Sequence, residues 1–543
     1  MEKTQHSEKL LLRKLDLLLR TGKLLMESAA DTSRIMRNMK RTAAYLGLPD
    51  EHLHIYINYN MLMVNLSDSE HSFSKFQRCE KHGINMTAIS AVSKLSWRAI
   101  REDYSLERYE EELENIRSRK RNYTSWQVAV GAGFACGGFC IQFGCDWPAF
   151  LYASIAAILG FRLRAVLNEL GSNHYMNIAV AAFVSTLLAW ASAFISTLDL
   201  PAPLHTLFHS DTPWHPLMAC ALFIVPGVPL INFVSDMLDS YVQIGITRAV
   251  NTLLIVVAMA FGIALAIHVC GIDNFVKDLS MTPHHTYLEF AVAAAISAVG
   301  FSMIFNIPRR LLWVVAVGGI IAVCTRNFVN LGPSNHNIGL DWGPVIGSLV
   351  GSALISIIVT RAVHWFHTPH HCLSIPSVIP MIPGVLMYRA LFAFIDMSGV
   401  VGEVTIAMNN AIQASLIILC IAVGVAIPNI FARRWIAPKR QKQLKRLIEE
   451  RRQRGKFRSG PLRGQAVRRK EEIPVRQIGD PGKAVLRQHN GHALLLHHGD
   501  HIVQLYDGSG VQVAGGFIQQ DIRRIVQKSP CHAQTLAFAA RKG

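Results

Sequence analysis

The chain has 543 residues, 51% of them hydrophobic and 17% charged, with a formal net charge of +17. That length exceeds one ordinary domain, and the charge is uneven: residues 1–124 carry 21 Lys and Arg against 17 Asp and Glu, residues 125–437 carry 11 against 12, and residues 438–543 carry 22 against 8. Apolar runs of roughly 20 residues, long enough to cross a bilayer core, recur in the middle region and exclude a wholly water-soluble protein.

The start, MEKTQHSEKLLLRKLD, is charged and amphipathic and lacks the small-residue cleavage site of a secretory leader, so the front is expected to stay in the cytosol. Residues 7–46 have helical periodicity, interrupted by SAADTS at 28–33. Residues 52–57 and 61–67 read as strands joined near Tyr59 and Asn60, with 72–78 as a third, and 86–101 and 105–120 read as helices. This is an α/β module without a nucleotide-binding loop, GxSxG or HExxH, so no enzyme is expected and no catalytic residue is assigned.

Ten membrane segments follow, at about 125–144, 147–161, 175–198, 216–238, 248–270, 286–306, 310–326, 342–362, 374–395 and 403–432. With a cytosolic start, the inner loops hold Arg162, Arg164, Arg248, Arg309, Arg310, Arg361, Arg433 and Arg434, and the outer loops hold only Lys277 and Arg326. This bias satisfies the positive-inside rule and predicts that both termini face the cytosol. Ten segments make two sets of five, and five is odd, so a repeat between the sets has inverted topology. Such a repeat is visible in PGVPLINFVSDMLD (226–239) and PGVLMYRALFAFID (383–396): Pro-Gly-Val opens each, and an Asp closes each thirteen positions later.

Proline lacks an N–H and its ring clashes with the carbonyl one turn back. Pro226, Gly227 and Pro229, and likewise Pro376, Pro380, Pro383 and Gly384, therefore free backbone groups that lipid cannot satisfy. Broken helix ends offer N–H groups to a carboxylate and carbonyls to an ammonium or cation; a plain proline kink is the alternative. Ionisable residues inside spans mark pathways or pair with one another. Asn232, Ser235, Asp236 and Asp239 follow the first break, and Tyr388, Arg389 and Asp396 the second. Arg389 is expected to pair with a carboxylate, preferentially Asp236, or to hold an anionic substrate group. Asp236, Asp239 and Asp396 are candidates for proton coupling, the last two alternatively lying in the headgroup zone.

Other features carry less. The run GAGFACGG at 131–138 suits close helix packing. The ten cysteines are scattered, many in apolar runs, and support no disulfide framework. His364, His367, His370 and His371 fall in an expected cytosolic loop without the carboxylates or cysteines that would make a metal site, so no metal and no cofactor are assigned.

The run LLLRTGKLLMESAADTSRIMRNMKRTAAYLGL (17–48) resembles the opening of the threonine/serine exporter family. So do WRAIREDYSLERYEEELENI (97–116), the first membrane helix, the Pro-Gly-Val-Pro-Leu-Ile-Asn…Asp run at 226–236 and the Pro-Met-Ile-Pro-Gly…Tyr-Arg run at 380–389. The resemblance covers about 10–436 and implies a ten-helix inner-membrane exporter of small hydroxy amino acids, driven by the membrane gradient. Related systems split the same layout into two polypeptides and are associated with dicarboxylate export. Carried over by position, the matching residues are Asp31, Thr32 and Arg34, then Pro226, Gly227, Asn232 and Asp236, then Pro383, Gly384, Tyr388 and Arg389. For Asp31 and Arg34 a helix cap and surface contact is the preferred role.

The stretch at 439–470 is strongly basic and suits an anionic membrane leaflet. Beyond Asp480, short apolar runs with Asn-Gly and Asp-Gly turns suggest a small β-rich piece or a poorly ordered extension; a metal at its histidines 489, 492, 497, 498 and 501 is a remote alternative.

The expected protein is thus a polytopic α-helical membrane protein, with ten transmembrane helices as two inverted five-helix repeats (125–272 and 273–437). A cytosolic N-terminal α/β domain (1–124) precedes them and a basic cytosolic extension (438–543) follows. It is expected to be a secondary transporter in the cytoplasmic membrane that exports threonine or serine by alternating access. A dicarboxylate exporter and a membrane-anchored sensor or scaffold are the alternatives. The expected partners are a small-molecule substrate (amino acid or dicarboxylate), the lipid bilayer and an anionic lipid at the basic tail. A homo-oligomer is left open, and no nucleic acid is expected.

Overall fold

The computed structural model describes residues 2–67, 71–80, 82–196, 201, 208–271, 285–333, 338–366, 368–395 and 401–453, together with five short strands between 475 and 513. It divides into two units, Met1–Leu462 and Arg463–Gly543.

The front begins with α1 (Glu2–Glu27) and α2 (Thr32–Leu46). Between them Ala29 takes a positive φ of 62°, and Asp31 caps α2 by accepting from the Arg34 N–H. A three-stranded antiparallel meander follows, β1 (Leu53–Ile57), β2 (Met61–Ser67) and β3 (Ser72–Arg78), and then α3 (Met86–Arg101) and α4 (Leu106–Ser118). The period-two alternation of β2 sends Leu62, Val64 and Leu66 to one face, where each is fully buried with Leu15, Leu18 and Leu25 of α1. Tyr109 of α4 is also fully buried. Its hydroxyl lies 3.0 Å from Thr21 Oγ1 and 3.2 Å from Thr42 Oγ1, tying α4 to α1 and α2. Tyr109→Phe strands the Thr42 hydroxyl in the core, Thr21 keeping its bond to Leu17 O, at a cost of about 1–2 kcal/mol. A lowered melting temperature in detergent is the expected result, and an unchanged one counts against this tie.

The remainder of the first unit is helical: α5 (Ser125–Gln142), α6 (Trp147–Glu169), α7 (His174–Ser196), α8 (Pro216–Ala219), α9 (Gly227–Leu238), α10 (Val242–Val269), α11 (Tyr287–Ile304), α12 (Leu312–Asn330), α13 (Gly343–Phe366), α14 (His371–Val378), α15 (Gly384–Ile395) and α16 (Val401–Gln453). Among the described residues, seven helices are long and apolar enough to cross a membrane, and a pair bent by 57°, Pro216–Ile224 with Gly227–Leu238, makes an eighth. Their outer faces are apolar as well as their inner ones: Ile155, Leu253, Phe261 and Leu288 are all exposed. Helices apolar all round belong in a membrane, so the chain is a polytopic helical membrane protein.

Packing follows the same scheme on both sides of the 272–284 stretch. In the first set α5 packs on α6, α6 on α7, and both α7 and α9 on α10. In the second set α11 packs on α12, α12 on α13, and both α13 and α15 on α16. Between the sets, α5 lies on α11, α9 on α16 and α10 on α15. The small residues at 131–138 serve the first of these contacts, Gly131 facing Gly300 and Gly138 facing Ser297. Gln142 Nε2 adds a 3.1 Å bond to Ser297 Oγ.

The last helix departs from expectation, whereas the tail follows the β-rich one of its two readings. The last helix does not stop near 432 but runs on to Gln453 through part of the basic stretch, because that stretch is rich in Lys, Arg, Gln, Leu and Glu, all good helix formers. In the second unit the apolar runs pair as a five-stranded antiparallel sheet in sequential order, β4 (Val475–Gln477), β5 (Lys483–Arg487), β6 (Ala493–His497), β7 (Val503–Asp507) and β8 (Gly510–Val513).

Candidate functional site

The two proline breaks have one geometry. A 3₁₀ turn precedes each, Leu222–Ile224 in the first and Ile379–Met381 in the second. The Val225 N–H donates to Leu222 O at 3.1 Å, and the Ile382 N–H to Ile379 O at 2.9 Å. The Gly227 N–H donates to Val225 O and the Gly384 N–H to Ile382 O, both at 2.8 Å. Each new helix then opens with an i→i+4 bond, Leu230 N–H to Pro226 O at 2.9 Å and Met387 N–H to Pro383 O at 3.0 Å. The breaks also touch each other. A Cβ at Gly227 would meet the Ile379 and Ile382 side chains, and one at Gly384 would lie 2.6 Å from Leu222 Cδ2. Glycine stands at both positions because each is the point of closest approach to the opposite 3₁₀ turn.

Past the first break, α9 turns Asn232, Asp236 and Asp239 to one side, as spacings of four and three residues require on a helix. That side meets the turn between α1 and α2. Asn232 Nδ2 donates to Ala29 O at 2.9 Å. The Thr32 N–H donates to Asp236 Oδ1 at 2.9 Å, and Ser33 Oγ bonds to Asp239 Oδ2. Asp236 Oδ2 forms an ion pair of 2.9 Å with Arg248 Nη1 of α10, and Arg248 Nη2 donates to Ala30 O at 2.9 Å. Asp236 is 1% exposed and Arg248 5%. Next to this pair, Arg34 Nε donates to Asp31 Oδ1 at 2.9 Å, both side chains buried, and His371 Nε2 of α14 stands 3.9 Å from the same oxygen. A small cavity lies between the parts, with Ala30, Asp31 and Arg34 on one side and Asn232, His371 and Ile375 on the other. Replacing Asn232 by Ala removes its bond and leaves the half-buried Ala29 carbonyl without that donor, costing about 1 kcal/mol. Faster limited proteolysis of residues 1–120 in the variant is the check; an unchanged rate contradicts the contact.

A second seam joins the front to the same helices. Asn251 Nδ2 of α10 donates to the Tyr59 hydroxyl at 3.1 Å and accepts from the Tyr175 hydroxyl at 2.6 Å. Asn251 thus joins α10 to α7 and to the β1–β2 turn. Burial raises the Tyr59 phenol above its ordinary value, the nearby Arg248 charge acting in the opposite direction. On the other flank Thr87 and Asn122 bond to Asn306, between α11 and α12.

Four expectations are corrected by this geometry. Asp236 does not pair with Arg389; its carboxylate is taken by Arg248 and the Thr32 amide. Arg389 lies instead near the far end of the broken helix, where its charge and that of Asp146 both act on His215, the residue before α8. Arg248 is not a loop cation: α10 starts at Val242, which puts Arg248 inside the helix. Asp31 and Arg34 do form a helix cap, but a buried one, since α2 starts against α9 and α14 rather than in water. His371, expected in a loop, is the buried first residue of α14. Tyr388 falls on α15, whereas Asp396, His367 and the expected histidines at 489, 492, 498 and 501 lie outside the described residues. Among the described residues no three His, Cys, Asp or Glu side chains are grouped to hold a metal. A partner for Asp236 twelve positions away on a separate helix has no periodic signature, so sequence reasoning missed Arg248 and His371 together.

A family model described as "Putative threonine/serine exporter" matches residues 16–270, and a second, "Threonine/Serine exporter, ThrE", matches residues 290–431. The chain is similar to the "Probable succinate transporter subunit YjjP" of Escherichia coli, 24% identical over 260 residues that make up 48% of this chain and 96% of that protein. The protein of the same description from Klebsiella aerogenes is 23% identical over 251 residues, 46% of this chain and 92% of that one. The "Probable threonine/serine exporter" of Mycobacterium tuberculosis is 21% identical over 395 residues, 70% of each chain. No solved structure matches the chain.

Proposed function

The chain belongs to the threonine/serine exporter family, and on that premise we propose that it is a secondary transporter that exports threonine or serine across the cytoplasmic membrane, driven by the proton motive force. The observation that carries this reading is the pair of breaks, each fitted by a glycine to the other. In the bilayer core, irregular backbone is tolerated only against protein or a wet cavity, and two helix ends meeting there supply N–H groups and carbonyls for a zwitterion. The matching packing schemes of α5–α10 and α11–α16 favour two inverted five-helix repeats, and alternating access then rocks one against the other. The sorting of arginines to one set of loops favours cytosolic termini.

In this reading Pro226, Gly227, Pro383 and Gly384 form the substrate site, with Tyr388 beside it, and Arg389 holds the substrate carboxylate. Asn232 and Asp236 line the path on the front side, and Asp236, Asp239 and Asp396 are the carboxylates available for proton coupling. Dicarboxylate export is the second reading, favoured by the two relatives named as succinate transporter subunits. Arg389→Ala is the test. Loss of a charge-assisted bond of about 1.5–3 kcal/mol raises the half-saturating concentration roughly ten- to a hundredfold in proteoliposome counterflow. Unchanged kinetics in correctly inserted protein would remove Arg389 from the site.

A further inference from the structure

The face of α9 that carries Asn232, Asp236 and Asp239 does not open onto water; the turn between α1 and α2 covers it. We propose that this turn, Ala29 to Ser33, is the gate on the cytosolic side of the transport path, a proposal that rests on the transporter reading above. The turn is gripped through its own backbone: Ala29 O by Asn232, Ala30 O by Arg248 and the Thr32 N–H by Asp236, with Ser33 Oγ on Asp239. Asn232 stands five residues past Gly227, about 7.5 Å along the helix, so the turn sits directly beyond the first break. The other wall of the cavity under the turn is His371 and Ile375 of α14, the helix that leads into the second break. The turn therefore lies where the approaches to both breaks converge, and a substrate leaving the cytosol has to displace it.

The chemistry of the seam suits a gate. The turn's direct polar contacts to α9 and α10 are hydrogen bonds, and water or a charged substrate can replace them one by one when the turn lifts. Asp236 and Arg248 remain paired to each other across α9 and α10 when it does, so opening does not isolate either charge.

The test locks the front in place. Ile89 of α3 and Cys372 of α14 both border the cavity, and neither belongs to the substrate site. In Ile89→Cys, a short reducible bis-methanethiosulfonate reagent links the new thiol to the native Cys372. Counterflow of labelled threonine or succinate is expected to fall to the protein-free background on cross-linking and to recover on reduction, the recovery showing that the variant is folded. The unsubstituted chain, treated identically, keeps its activity. Counterflow that continues unaltered in the cross-linked protein overturns the gate and leaves the transporter reading standing. Absence of counterflow in the untreated, unsubstituted chain overturns that reading, and the gate with it.

Discussion

Asp236→Asn lowers stability by about 3–5 kcal/mol, the usual cost of leaving one member of a buried ion pair without its counter-charge. The carboxylate is 1% exposed and lies 2.9 Å from Arg248 Nη1, so water cannot compensate the guanidinium when the charge is removed. Asparagine still accepts from the Thr32 amide but cannot neutralise Arg248, which also loses part of what aims it at Ala30 O. The double variant Asp236→Leu with Arg248→Met removes both charges, and apolar replacements of a buried pair are often neutral in stability. Thermal unfolding in detergent is therefore expected to rank the single variant below the double one. A single variant as stable as the unsubstituted chain contradicts a buried pair at this position. Transport is expected to be lost in both variants, because the double one restores packing and not the polar face of α9.

Gly384→Leu has the second large effect. The space a side chain needs at that position is filled by Leu222 of the opposite break, and at Gly227 by Ile379 and Ile382. Overpacking costs about 1–3 kcal/mol. Borne only by the conformation in which the breaks touch, this reduces its population by roughly ten- to a hundredfold. Exchange rates in proteoliposomes are expected to fall in that range, and Gly227→Leu, acting on the same contact from the other side, is expected to do the same. Alanine at either position is milder, since the atoms it meets are ends of side chains that can turn aside. An undiminished rate in Gly384→Leu contradicts close apposition of the breaks during transport.

Much of this arrangement was legible in the residue order. Prolines announce breaks because they remove a backbone donor, and the shared Pro-Gly-Val points to two equivalent ones. The three front strands follow from periodicity and the long apolar helices from run length, while the small residues at 131–138 announce a close helix contact without naming α11 as its partner. The charge cluster was not legible. Arg248 reads as a loop residue because apolar sequence begins only beyond it, whereas α10 starts six residues earlier with Val-Gln-Ile-Gly-Ile-Thr, whose mixed polarity hides a helix start. Asp31 and Arg34 look like an ordinary exposed cap at three-residue spacing, and nothing local indicates that α9 and α14 cover them. His371 reads as a loop residue among other histidines, yet α14 begins with it. In each case a tertiary contact between residues far apart in the chain decided the outcome, and local pattern carries no information about such contacts.

The central claim is that the paired breaks pass a small charged solute from one side of the membrane to the other. Counterflow in proteoliposomes containing the purified full-length chain, with labelled threonine outside and unlabelled threonine or succinate inside, tests it most directly. The prediction is saturable uptake of label driven by internal threonine, well above protein-free vesicles. A parallel run with labelled succinate outside and unlabelled succinate inside separates the two substrate readings, because only a dicarboxylate exporter exchanges it. Uptake no higher than in protein-free vesicles, with threonine, serine and succinate alike, contradicts the account.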